Sequence, residues 1–77
     1  MKKEDKMIFD HSKLLGRMRE MGIIQEELAS QVRMNAGTLS SKLKSGTKFK
    51  QDEIIAVCNA LNIDYQLIPV YFFTVKV

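Results

Sequence analysis

Cysteine and histidine each occur only once in this chain of 77 residues, and the sequence has no glycine-rich loop. The single Cys58 excludes an intramolecular disulfide framework and suits a reducing compartment. His11 is the only histidine and lies far along the chain from Cys58. A metal site, or a nucleophile with its base, needs several convergent groups. We therefore expect no enzyme, no metal and no cofactor.

Long apolar runs are also missing. None approaches the roughly 20 residues that cross a membrane, and no apolar segment of signal-peptide length follows the charged residues 1–6. We therefore expect a cytoplasmic protein without a membrane partner. A 45% apolar content with one proline argues against disorder. The predicted organisation is a flexible charged tail, 1–6, and one domain, 7–77, with Met7 as an alternative start.

The most informative segment is residues 25–46, QEELASQVRMNAGTLSSKLKSG. Leu28 and Val32 are one helical turn apart, as are Leu39 and Leu43, so each half has a narrow apolar edge. This pattern predicts two short helices joined by a tight turn. Such a helix-turn-helix usually places its second helix in a DNA major groove.

Small and capping residues support this interpretation. Asn35 suits the N-cap of the second helix of the pair, and Gly46 suits its end. Ala29, in the middle of the first, allows a close helix crossing. One helix is predicted before the pair, capped by Asp10 or Ser12, and one after it, with Phe49 docking the intervening loop on the core. The predicted core consists of Leu28, Val32, Leu39, Leu43, Ile54, Ile55 and Leu61.

The C-terminal residues predict a last helical turn and then a strand. Asp64 suits the cap of a turn at 65–68, which Pro69 is expected to stop. Residues 70–77 are aromatic and β-branched, and such a strand needs a partner. Candidate partners are residues 7–9, the same strand of a second copy, or another protein. The residues expected on one face of the strand, in contact across a dimer, are Phe73, Val75 and Val77.

Positive charge is concentrated next to the predicted helix pair. Lys42, Lys44, Lys48 and Lys50 lie within nine residues that contain no acid. The chain has 12 basic and 9 acidic residues, so 8 basic residues remain to balance 9 acidic ones elsewhere. A local basic patch beside a helix-turn-helix is typical of a phosphate-binding face. Solvated lysines that serve only solubility are the plainer alternative.

The chain resembles the lambda-repressor-like helix-turn-helix family, and more narrowly small phage proteins of the Cro type. The residues that carry the resemblance in the helix pair are Gln25, Ala29, Met34, Leu39 and Leu43. The flanks FDHSKL (9–14), FKQDEII (49–55) and YFFTV (71–75) resemble short phage proteins often labelled Cro repressors.

This resemblance implies a compact all-α domain of four or five helices with a short C-terminal strand. It also implies a homodimer on double-stranded operator DNA, with the third helix in the major groove. Gln25 would contact a phosphate, and Asn35, at the start of the third helix, would also be a DNA-binding residue. The residues expected at base edges are Ala36, Gly37, Ser40 and Ser41, and those expected near phosphates are Lys42, Lys44, Lys48 and Lys50.

Three positions depart from the family pattern. Ala36 and Gly37 stand where long polar side chains are common, and neither can make a bidentate hydrogen bond to a base. Specificity would then depend on Lys42, Lys44 or DNA shape. Arg33 stands where glycine is usual, so positive φ there would cost of order 1 kcal/mol.

These departures leave open a second function, that of an antirepressor or modulator. In that role the helix pair grips a partner repressor protein, because small residues also admit another helix and lysines also pair with an acidic protein surface. An antitoxin-like binding module is a third alternative.

Overall fold

A computed structural model describes residues 8–76. The predicted tail, 1–6, together with Met7 and Val77, lies outside the described residues. Five α-helices and one 3₁₀ turn follow one another within this range. They are α1 (Ser12–Met21), α2 (Gln25–Val32), α3 (Ala36–Ser45), α4 (Gln51–Leu61), the 3₁₀ turn Tyr65–Leu67 and α5 (Ile68–Phe72). The predicted all-helical fold of four or five helices is confirmed.

The start and end of α3 follow from its sequence. The Asn35 side-chain oxygen accepts hydrogen bonds from the Gly37 amide at 2.8 Å and the Thr38 amide at 3.3 Å. These amides would otherwise lack partners in the first turn of the helix. Gly46 ends α3 with φ of 76°, a conformation in which glycine avoids the usual Cβ clash. Both predicted caps are confirmed.

The core forms where α2 packs on α3 and α4, with α1 and α5 covering the remaining sides. Ala29 is buried at 2% exposure on α2, as expected for a close helix crossing. Two residues that were predicted to lie in the core are not fully buried. Val32 is half-buried, and Ile55 is 39% exposed. Ile55 falls beside the stripe that α4 buries, which runs through Ile54, Val57, Cys58 and Leu61.

Phe49 docks the basic loop on the core, as predicted. Its side chain is buried between the start of α1 and the end of α5. The ring meets His11 edge-to-face at 5.0 Å between centroids and Phe72 in the same way at 5.4 Å. This geometry is favourable for aromatic pairs, and it fixes the loop between α3 and α4.

The predicted C-terminal strand is wrong within the described residues. Ile68–Phe72 is helical, and Pro69 lies in the first turn of that helix instead of stopping one. Proline is tolerated there because a first-turn amide has no acceptor within the helix. What remains of strand pairing is one antiparallel bridge between Phe9 and Val75. The partner predicted within the chain is therefore the one observed, over a much shorter length.

Gly46→Ala should destabilise the fold strongly. An added Cβ would lie 2.5 Å from the Phe9 carbonyl oxygen and would also collide with the Ile8 side chain. Left-handed backbone adds about 1–2 kcal/mol, and overpacking adds about 1–3 kcal/mol. Urea unfolding followed by circular dichroism measures the loss.

Gly16→Ala is the matched control for this substitution. Gly16 lies inside α1, and an added Cβ meets nothing within 4 Å among the described residues. It should stabilise the protein by about 0.5–1 kcal/mol. Equal effects of the two substitutions would contradict the packing described at Gly46.

Candidate nucleic-acid interface

One face of α3 is open to solvent along its whole length. Leu39 and Leu43 anchor the opposite face in the core, at 0% and 5% exposure. Gly37, Ser41 and Lys44 follow one another at intervals of three or four residues on the outer side, and all three are exposed. Among the other residues predicted to meet bases, Ala36 is exposed and Ser40 is half-buried. The predicted base-reading residues thus share one surface.

The first turn of α3 presents mainly backbone. The Asn35 oxygen is occupied by the two amides that it caps, so its demonstrated role is structural. A Cβ built on Gly37 would lie 3.0 Å from that oxygen. Ala36 carries only a methyl group. A flat partner surface could therefore come close to the main chain at this end of the helix.

The start of α2 carries mixed charge. Gln25 is the first residue of α2 and is half-buried. Glu26 and Glu27 follow it in the first turn, and Glu27 accepts a hydrogen bond from the Ile24 amide at 3.1 Å. Acids stabilise a helix N-terminus, but they also oppose an approaching phosphate. Gln25 would have to make its predicted contact beside two carboxylates.

The four lysines of the predicted patch are not equivalent. Lys44, Lys48 and Lys50 are exposed. The Lys42 ammonium instead lies 2.6 Å from a carboxylate oxygen of Glu53, and the two side chains are only 15% and 16% exposed. It also lies 5.6 Å from the centre of the Phe49 ring. The sequence predicts four phosphate-binding cations, whereas the folded chain presents three and pairs the fourth internally.

Glu53 was not predicted as part of the interface. The same oxygen that meets Lys42 also accepts the Lys50 amide at 2.8 Å, at the start of α4. Burial raises the pKa of this carboxyl group, but the hydrogen bonds and charges of Lys42 and Lys50 outweigh burial and lower it overall. Glu53 is therefore ionised at neutral pH. Its position near the start of α4 indicates a helix cap, and nothing in its spacing from Lys42 indicates the ion pair.

His11 contacts the main chain of α3 at Lys42. The side chain is 3% exposed, and its Nδ1 lies 3.1 Å from the Lys42 carbonyl oxygen. Since a carbonyl can only accept, Nδ1 is the donor. Burial lowers the pKa of His11 more than this hydrogen bond and Asp10 raise it. The imidazole is neutral at pH 7, and its hydrogen bond holds the start of α1 against α3.

Arg33 occupies the left-handed conformation expected in the turn, with φ of 61°. Its side chain is exposed, directly before Met34 and Asn35. The strain predicted at this position therefore applies to the folded chain.

The predicted dimer residues do not share a strand face. Phe73 follows the last residue of α5, whereas Val75 lies in the bridge with Phe9. Both are well exposed, at 52% and 45%. Val77 lies outside the described residues.

Residues 8–76 contain neither a metal-binding cluster nor a membrane-spanning helix. Within this range, no three His, Cys, Asp or Glu side chains converge as metal ligands would. No helix in it has the length and apolar character needed to span a membrane.

In comparisons with known proteins, the chain matches the model of one protein family. A family model described as "Protein of unknown function (DUF739)" matches residues 7–75, which is most of the chain. No curated protein matches it.

Proposed function

We propose that this chain, which belongs to the DUF739 family of proteins of unknown function, is a Cro-type transcriptional regulator of a phage or prophage. In this proposal it binds operator DNA by placing α3 in the major groove. One observation carries the proposal: the open face of α3 continues into a loop whose exposed lysines have no acid between them in the sequence. A helix about 10–12 Å wide matches a groove about 12 Å wide.

Affinity in this proposal comes mainly from phosphate contacts. Lys44 lies in the last turn of α3, Lys48 in the loop and Lys50 next to the start of α4. Three cations that neutralise three phosphates release counterions, so binding should weaken steeply as salt rises. Gln25 would add a neutral contact from α2. Lys42 is left out of this set because its charge is paired with Glu53.

Sequence selectivity would be modest and partly indirect. Ala36 can contact a thymine methyl group, and Ser40 and Ser41 can hydrogen-bond several bases. The small residues of the first turn let the helix backbone lie deep in the groove. Preference for one operator would then arise from groove width and DNA deformability as well as from base contacts.

Pairing of two copies through the C-terminal segment would present two copies of α3 to two half-sites. The Asp10 amide donates to the Thr74 carbonyl at 2.7 Å, and the Lys76 amide donates to the Ile8 carbonyl at 2.8 Å. This pattern directs the Val75 N–H and C=O away from Phe9. Neither group makes a backbone hydrogen bond within residues 8–76. An exposed edge of this kind, beside exposed Phe73, is suited to pairing with its own copy.

Val75→Lys should shift a dimer toward monomer, because charge on an exposed edge opposes pairing. Sedimentation velocity over a concentration series measures the shift. Val70→Lys is the control, since Val70 is similarly exposed, at 42%, but lies in α5 and not in the bridge with Phe9. A wild-type protein that stays monomeric at every concentration would remove the dimer from the proposal.

Titration of the protein against its neighbouring intergenic DNA, with random DNA as competitor, tests DNA binding directly. Lys48→Ala should weaken binding to all sequences alike and reduce the salt slope by about 1 for each bound chain, the value for one lost phosphate contact. Lys13→Ala is the charge-matched control, because Lys13 is exposed on α1, outside the proposed interface. Wild-type binding without salt dependence would contradict a phosphate-binding face.

Ala36→Gln should change base preference while leaving stability nearly unchanged. Ala36 is the exposed first residue of α3, and a glutamine there can pair with adenine in the major groove. One such bidentate contact discriminates by about 1–3 kcal/mol. Selection from a randomised duplex library reads out the preference. The same selected sequences for both proteins would place α3 outside the groove.

A second candidate function is an antirepressor or modulator that uses this surface to bind a partner repressor. The observation that favours it is the small, exposed first turn of α3 at Ala36 and Gly37, which would admit a helix of another protein. If the titration shows no DNA binding, calorimetry with the repressor encoded next to this chain becomes the deciding measurement.

A further inference from the structure

The Lys42–Glu53 ion pair separates one lysine of the basic segment from the other three. The Lys42 side chain crosses from α3 to the first turn of α4, and its ammonium lies 2.6 Å from the Glu53 carboxylate. The carboxylate oxygen is held from a second side by the Lys50 amide at 2.8 Å. Acceptance of both donors by one oxygen anchors Glu53 in place.

The residues around Lys42 and Glu53 stabilise the ion pair. Both side chains are mostly buried, and the Phe49 ring lies next to the Lys42 ammonium. The Lys42 main chain is also fixed, because its carbonyl oxygen accepts the hydrogen bond from buried His11. Charged partners this close attract each other more strongly when water is partly excluded. A phosphate would therefore have to compete with Glu53 for Lys42.

We infer that Glu53 is an intramolecular competitor that withholds Lys42 from the DNA backbone and so sets the strength and salt dependence of binding. This inference rests on the proposed function. Each chain then neutralises three phosphates, through Lys44, Lys48 and Lys50, instead of the four that the sequence suggests. Release of Lys42 adds the fourth.

The salt dependence of the binding affinity reports the number of these phosphate contacts. Affinity falls with a slope of about 0.9 per phosphate on logarithmic axes, so a rise from about 50 to 200 mM salt costs about 3.5-fold per contact. Three contacts predict a loss of about 40-fold per chain, and four predict about 150-fold.

Glu53→Gln tests the inference without removing the cap of α4. Glutamine at this position can still accept the Lys50 amide, but it no longer holds the Lys42 charge. The variant should bind a labelled random-sequence duplex of about 20 base pairs more tightly at low salt. It should also lose about 3.5-fold more affinity per bound chain than the wild type between about 50 and 200 mM salt. Fluorescence anisotropy measures both quantities, and circular dichroism confirms folding.

Asp52→Asn is the matched control. Asp52 is the exposed neighbour of Glu53 in the first turn of α4, and its carboxylate accepts the Glu53 amide instead of pairing with Lys42. The substitution changes net charge by the same amount as Glu53→Gln. It should leave the salt slope at the wild-type value. Equal steepening in both variants would assign the effect to net charge and overturn the inference.

The double variant Glu53→Gln with Lys42→Met tests whether the extra salt dependence comes from Lys42. It removes both charges of the pair and keeps the net charge of the wild type, so its slope should return to the wild-type value. A slope as steep as that of Glu53→Gln alone would show that Lys42 does not reach phosphate, which overturns the inference.

The failure of this inference can be told apart from the failure of the proposed function. DNA binding by the wild type with an identical slope in Glu53→Gln overturns the role of Glu53 alone. Absence of binding in all four proteins overturns DNA binding itself and the inference with it. Binding that appears only in Glu53→Gln supports the competition directly.

Discussion

The arrangement of the interface depends on the docking of Phe49. Its ring is held between His11 at the start of α1 and Phe72 at the end of α5, so a loop rich in lysine is anchored by its one large apolar side chain. Burial of an aromatic ring contributes a few kcal/mol. Together with the packing of α3 and α4 on α2, this anchor fixes the distances between the exposed lysines and the approach of Lys42 to Glu53.

In the same region, the fold divides the lysines of the basic segment into exposed ones and a paired one. Lys44, Lys48 and Lys50 are turned to solvent, whereas Lys42 is paired with a carboxylate from the next helix. The bridge at Phe9 and the hydrogen bond from the Phe9 amide to the Gly46 carbonyl, at 3.0 Å, hold the end of α3 against the N-terminal segment. The surface proposed to meet DNA is thus supported by contacts distant in sequence.

Local signals predicted the helix pair well. The apolar spacing of α2 and α3, the Asn35 cap and the left-handed Gly46 depend on neighbouring residues, and all of them are observed. Predictions failed where a position was open to competing structures. The aromatic and β-branched composition of residues 70–77 favoured a strand, but α5 forms instead because packing of Phe72 on the core outweighs propensity there.

The sequence by itself determined the class of fold, the turn between α2 and α3 and the location of the basic segment, because helical periodicity, caps and charge runs act over a few residues. Only the tertiary structure decided which lysines are exposed and that Phe9 meets Val75. It also decided that Glu53 neutralises Lys42, eleven positions earlier in the chain. These outcomes depend on how helices pack on a shared core, and side chains on separate helices meet at distances that no local pattern encodes.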